Sequence, residues 1–197
     1  LAQSDECRLD DRSRALIPFG VRLSQAMHDR GPLCVGIDPH PSLLGQWGLG
    51  DDPNGLASFS LRAAEALAPV AAAIKPQSAF FERHGSKGIA VLERVLEICR
   101  EAGSQVILDV KRGDIGSTTQ AYAEAYLHPR SSLCADAITA SPYLGFGSLQ
   151  PMIDLAREYG NGLFVLALTS NPEAAPVQRA KAAGGTVAGE VLSQLKQ

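Results

Sequence analysis

Charged side chains interrupt this chain's apolar runs at recurring places. Leu33-Cys-Val-Gly-Ile-Asp38 ends in a carboxylate, and Val70-Ala-Ala-Ala-Ile-Lys75 ends in an ammonium. Gln105-Val-Ile-Leu-Asp-Val-Lys111 carries both, with Asp114 three residues on. A strand buried on both faces must satisfy each charge with a partner. Residues i and i+2 of a strand share a face, so Asp109 and Lys111 are predicted to point the same way and Val110 the other. Gly113 would permit an unusual turn that brings Asp114 beside Lys111. Lys75 would arrive from the neighbouring strand. Opposite charges favour each other's ionised form. The expected product is an alternating carboxylate–ammonium cluster with one ammonium placed to donate a proton. The bland alternative is an ion-pair network that only fixes strand register. Five such residues, all at strand ends, weigh against it.

The elements that would position these groups alternate regularly. Apolar runs near residues 33, 70, 105, 135 and 162 read as strands. Between them lie helical patterns: Leu56 to Leu67, an amphipathic stretch with Ile89, Leu92, Val95, Leu96 and Cys99 on one face, and Ser117 to Leu127. Ser148 is expected to cap a helix carrying Leu149, Met152, Ile153 and Ala156. A last helix is expected from about Val177. Continuously apolar strands point to a parallel sheet covered on both faces. Two architectures fit: a five-stranded doubly wound sheet, or part of a (β/α)8 TIM barrel. Both place chemistry at the C-terminal ends of strands. The strand spacing averages about 32 residues, and a full barrel needs about 250. A chain of 197 residues is therefore expected to hold about five βα units, with two unpaired sheet edges.

Composition removes several classes. Apolar residues make up 45% and charged residues 20%, which suits a globular core. Eighteen Lys+Arg against 21 Asp+Glu give a net charge of -3, unlike a broadly basic nucleic-acid binder. No apolar stretch is long enough to span a membrane. Residues 1–16 read as a polar leader without a secretory apolar core, and residues 17–197 as the N-terminal five βα units of a single barrel domain. Cys7, Cys34, Cys99 and Cys134 show no metal or redox spacing and are expected to be mostly buried free thiols of a reducing cytoplasm. The four histidines show no ligand spacing, so no metal is expected; His40 follows Asp38 and would line the site mouth. Gly145-x-Gly147 is too short for a dinucleotide fingerprint, Trp47 reads as packing, and Gln178 to Lys181 as a solvated helix start.

The run Asp109-x-Lys111-x-x-Asp114-Ile115-Gly116, with Lys75 one strand earlier and Asp38 on the first, resembles the signature of the orotidine 5′-phosphate decarboxylase family. Gly36-Ile-Asp-Pro-His-Pro41, Lys75-Pro-Gln-Ser-Ala-Phe-Phe-Glu82, Ser141-Pro-Tyr-Leu-Gly-Phe-Gly147 and Thr169-Ser-Asn-Pro-Glu173 resemble its mycobacterial branch. The resemblance implies a TIM barrel that converts orotidine 5′-phosphate to uridine 5′-phosphate and CO2 without metal or organic cofactor. It implies that Lys75, Asp109, Lys111 and Asp114 form the charged tetrad, with Lys111 protonating C6. It implies that Asp38 and Lys75 hold ribose hydroxyls and that Ser170 meets the pyrimidine amide edge. It also implies a homodimer in which Asp114, Ile115 and Thr118 enter the partner's site. The family's phosphate grip, a Pro-Gly-rich segment with a Gln and an Arg, has no counterpart here, so a chain lacking the last strands is expected. A magnesium-dependent sugar-phosphate decarboxylase of the same superfamily is the nearest competitor, but it usually carries a carboxylate where Lys75 stands. A non-catalytic nucleotide-binding remnant is the alternative of another class.

Overall fold

The computed structural model describes residues 17–183 and 185–195. The expected leader, Cys7 included, lies outside the described residues. Five parallel strands form one sheet: β1 (Cys34–Ile37), β2 (Ala73–Pro76), β3 (Gln105–Arg112), β4 (Ala137–Ala140) and β5 (Gly162–Val165). Their spatial order is their sequence order, β1-β2-β3-β4-β5. A doubly wound sheet reverses direction at a switch point, and this one does not. The order is that of successive units around a (β/α)8 barrel.

The first seven helices are α1 (Phe19–Arg30), α2 (Pro41–Gln46), α3 (Pro53–Leu67), α4 (Ala79–Glu82), α5 (Gly85–Glu101), α6 (Gly116–Leu127) and α7 (Gln150–Tyr159). All but α1 lie on one face of the sheet. Outward-facing Ile37, Ile74, Val106, Leu108, Val110 and Ile138 pack with Leu56, Leu92, Val95, Leu96, Cys99, Leu127 and Met152 in one buried core. α3 starts where its sequence provides for it: Asp52 accepts from the amides of Asn54 and Gly55, and Pro53 follows. Among the described residues no helix is long and apolar enough to cross a membrane.

The inner face is different. Phe19, Ala73, Ile107 and Ala137 form a small second cluster at the N-terminal ends of the strands, with Leu23 against it. Helix α1 supplies Phe19, whose ring meets Phe164 edge-on at 5.9 Å. It also crosses Gly162 so closely that a Cβ there would stand 2.4 Å from the ring. Arg22 ties α1 down, donating to Asp136 at 2.8 Å, to Gln105 at 3.1 Å and to the Gly160 carbonyl at 3.2 Å.

Several expectations need correction. Strand four begins at Ala137 and strand five ends at Val165, shorter than their apolar runs. Ser148 does not cap α7: a 3-10 turn over Phe146–Leu149 precedes that helix, and the Ser148 hydroxyl donates to the Gly145 carbonyl. The expected helix from Val177 is broken. Short α8 (Ala175–Gln178) is followed by an antiparallel pair, β6 (Lys181–Ala182) and β7 (Gly185–Thr186), and then α9 (Val187–Gln194). Gln178 is not a solvated start. Its carboxamide accepts from the Thr169 amide at 2.7 Å. Of the described thiols, which are all free, only Cys99 is buried, and burial pushes it up to about 12. Cys34 is exposed and lines a groove on the inner side of the sheet.

Candidate active site

Three of the expected charges meet at the C-terminal ends of β2 and β3. Asp109 is the hub, and only 8% of its side chain is exposed. Lys111 Nζ donates to both its oxygens at 2.7 Å. Lys75 Nζ reaches Oδ2 at 3.3 Å from the adjacent strand. Two neutral groups complete the shell. Thr139 on β4 donates its hydroxyl to Oδ1 at 2.7 Å. Gln77, oriented to satisfy both neighbours, donates to Oδ2 at 2.5 Å and accepts from Lys111 Nζ at 3.3 Å. Burial pushes the Asp109 carboxyl up, but the hydrogen bonds from Lys111 and Thr139 and the charges of Lys111 and Lys75 outweigh it and hold the carboxyl below the ordinary carboxylate range.

Asp109 and Lys111 share a face as expected, but not through a regular strand. The β3–β4 register runs Ile107↔Ala137, Leu108↔Ile138 and then Arg112↔Ala140, so β3 holds two extra residues. Within this bulge Lys111 has φ +46°, the positive φ of a non-glycine residue. Such a conformation persists only when its surroundings impose it. On the inner side, the Thr139 hydroxyl oxygen accepts from the Lys111 amide at 2.9 Å. On the outer side, Arg112 donates to the Val110 carbonyl at 3.0 Å and to Glu82 at 2.7 Å. Gly113 was expected to supply the special turn, and its role is different. Its α-carbon lies so close to the Ser141 carbonyl that a Cβ would stand 2.1 Å from that oxygen.

Asp114 does not join the cluster, which corrects the expectation that two carboxylates of one chain flank Lys111. Its Oδ1 accepts from the Ile115 amide instead. Ile115 is 61% exposed and leads into α6, and Thr118 is exposed on the first turn of that helix. Asp38 lies just past β1. Its side chain lies over Gly36, 3.6 Å from a Cβ placed there, and Gly36 pairs with Lys75. Asp38 thus shares the inner face, yet its Oδ1 is buried without a hydrogen-bond partner. Ser170 is exposed beyond β5. His40 is exposed and packs edge-on against Phe80 at 4.2 Å. Trp47 packs against Phe59 at 4.8 Å. Below the cluster runs a mainly apolar groove of about 390 Å³, lined by Leu23, Met27, Ala73, Ile107 and Phe164, with Lys75 and Thr139 on its wall. No group of three or more His, Cys, Asp or Glu among the described residues is placed to hold a metal ion. The cluster therefore offers an ammonium clamped by a carboxylate, suited to stabilising negative charge on a bound molecule and then protonating it.

Residues 31–196 match the model of the family described as "Orotidine 5′-phosphate decarboxylase / HUMPS family". The chain belongs to this family. An orotidine 5′-phosphate decarboxylase of Nocardioides sp. is 63% identical, the match covering 92% of this chain and 68% of that one. One from Streptomyces coelicolor is 60% identical, with 89% of this chain and 63% of that one covered. The crystal structure of a putative orotidine 5′-phosphate decarboxylase from Streptomyces avermitilis superposes with a TM-score of 0.90 at 61% identity, covering 92% of this chain and 64% of that chain. The chain thus spans about two thirds of the length of these family members.

Proposed function

We propose that this protein decarboxylates orotidine 5′-phosphate to uridine 5′-phosphate and CO2, with Lys111 as the proton donor. The observation that carries this reading is Asp109 holding the Lys111 and Lys75 nitrogens at the strand tips. When the bond from C6 to the carboxylate breaks, its electron pair stays on C6 in the plane of the ring, where no π-system delocalises it. A fixed ammonium beside C6 stabilises that charge electrostatically. Its proton then forms the new C6–H bond, and the neutral amine regains a proton from solvent. The reaction calls for no metal or organic cofactor.

Asp109 sits beside the scissile carboxylate in this reading. Asp38, whose buried oxygen has no donor, accepts from a ribose hydroxyl, and Lys75 donates to a ribose oxygen. Ser170 meets the pyrimidine amide edge. Asp114, Ile115 and Thr118 serve the partner's site in a homodimer. The support is that Asp114 stays out of its own chain's cluster and that the apolar Ile115 stands 61% exposed next to it. The cytoplasm is the proposed location, and residues 17–197 are the proposed N-terminal five βα units of a single barrel domain.

The test is turnover of orotidine 5′-phosphate by the full-length protein and its Lys111→Ala variant, with and without EDTA. The expected result is activity that survives EDTA and is abolished in the variant, with an unchanged circular dichroism spectrum. Substantial turnover by the variant would remove Lys111 as proton donor. Loss of activity to EDTA would favour the magnesium-dependent competitor.

A further inference from the structure

Thr139 carries a role that the charged residues alone do not account for. Its hydroxyl makes two bonds in opposite senses. It donates to Asp109 Oδ1 at 2.7 Å, and its oxygen accepts from the Lys111 amide at 2.9 Å. A hydroxyl offers one proton and two lone pairs, so one group can serve both ends at once. The two ends are the hub carboxylate and the backbone of the residue that leaves the strand at φ +46°. We propose that Thr139 is a positioning residue: its hydroxyl locks the β3 bulge to the Asp109 carboxylate and so fixes where Lys111 delivers its proton.

Three features lead to this. The left-handed conformation at Lys111 is costly for a residue with a Cβ and needs a local restraint. β4 has no register partner for Asp109, Val110 or Lys111, since its pairing passes from Leu108 to Arg112. The Lys111 amide is therefore held by a side chain where a regular ladder would offer a carbonyl. That side chain sits on a short strand whose own pairing with β5 is regular, from Ala137↔Gly162 to Ala140↔Val165. The restraint is thus anchored to a rigid element, which is what precise placement of a reacting group needs.

The kinetic consequence rests on the decarboxylase reading; the structural one does not, and the test separates them. Thr139→Val keeps the shape and removes the hydroxyl. Thr139→Ser keeps the hydroxyl. In the full-length protein, Thr139→Val is expected to lower kcat for orotidine 5′-phosphate roughly ten- to hundredfold, the value of one hydrogen bond to a charged group, with KM changed about threefold or less. Thr139→Ser is expected to restore kcat to within about threefold of the parent. Native-state hydrogen exchange followed by NMR supplies the second readout: the Lys111 amide should exchange at least about tenfold faster in Thr139→Val and near the parent rate in Thr139→Ser. Parent activity retained by Thr139→Val overturns the positioning role while leaving the decarboxylase reading intact. A parent protein without turnover removes that reading, and the exchange rates alone then decide: an unchanged Lys111 amide in Thr139→Val overturns the lock.

Discussion

Replacing Asp109 by Asn keeps the volume of the hub and removes its charge. Lys75 and Lys111 approach the same oxygen, Oδ2, at 3.3 and 2.7 Å, so their nitrogens lie at most 6.0 Å apart, the sum of those distances. Two unit charges about 6 Å apart repel by about 3 kcal/mol at an effective dielectric of 20 and about 0.7 kcal/mol in water. The lysine side chains are 33% and 47% exposed, which places the repulsion between these limits. Loss of the two attractions adds to it, and the expected destabilisation is about 2 kcal/mol at pH 7, or a fall of about 1 M in the urea midpoint at constant m. Urea is the denaturant of choice because guanidinium would screen the charges. In 1 M salt the Debye length falls to about 3 Å, so the difference between parent and variant should shrink. It should also depend on pH in one direction. The Asp109 carboxyl is held below the ordinary range in the folded protein, so the unfolded chain binds a proton first as pH falls. The parent's advantage is therefore full above about pH 4 and is lost as pH drops through the depressed folded value. A difference under about 0.5 kcal/mol at pH 7, or one unchanged by salt and acid, would show that Asp109 does not hold these two ammonium groups by charge.

Gly113→Ala forces a Cβ against the Ser141 carbonyl, a backbone atom with no freedom to swing aside. It should destabilise the fold by about 1–3 kcal/mol in urea unfolding, and a neutral effect would contradict the close approach. Mixing two inactive full-length variants, Lys111→Ala and Asp114→Ala, should regain turnover in the heterodimer, since one site would then carry both defects and the other none. No recovery would assign both residues to the same chain's site.

The sheet was legible because its strands are short apolar runs, the first three ending in charges, and both signals survive folding. Lys75, Asp109 and Lys111 could be grouped for the same reason. What escaped is mostly what periodicity cannot carry. The exception is helix α1, which carries Phe19, Leu23 and Met27 at helical spacing but buries only Phe19, and this short stripe was overlooked. The β3 bulge leaves Val110 outward and Asp109 inward, as a regular strand would, so alternation could not reveal it. Thr139 and Gln77 are neutral residues whose importance lies in which carboxylate they face, and that is fixed only by the register of three strands. Asp114 was misplaced within its own chain because spacing along the sequence says nothing about the direction taken after Gly113. Ser148 and the C-terminal helix failed on local turn geometry, where a 3-10 turn and a short hairpin replaced the simplest pattern.

The docking of α1 also orders events during synthesis. Arg22 bonds to Asp136, 114 residues later, and to the carbonyl of Gly160, 138 residues later. Phe19 closes on Gly162 and Phe164. At about 5–20 residues per second, on the order of ten seconds pass between translation of this helix and that of its last partners. The contacts of α1 are thus completed only when β5 is made, although earlier partners at Ala68, Ala71 and Ala102 are available long before. While β1 to β4 assemble, the inner face on which the charges converge stays open at its N-terminal end. Arg30 at the end of α1 bonds to the carbonyls of Ala68, Ala71 and Ala102, so a ribosome-bound chain stopped short of Gly160 would hold that end of the helix and lack the contacts that seat Phe19.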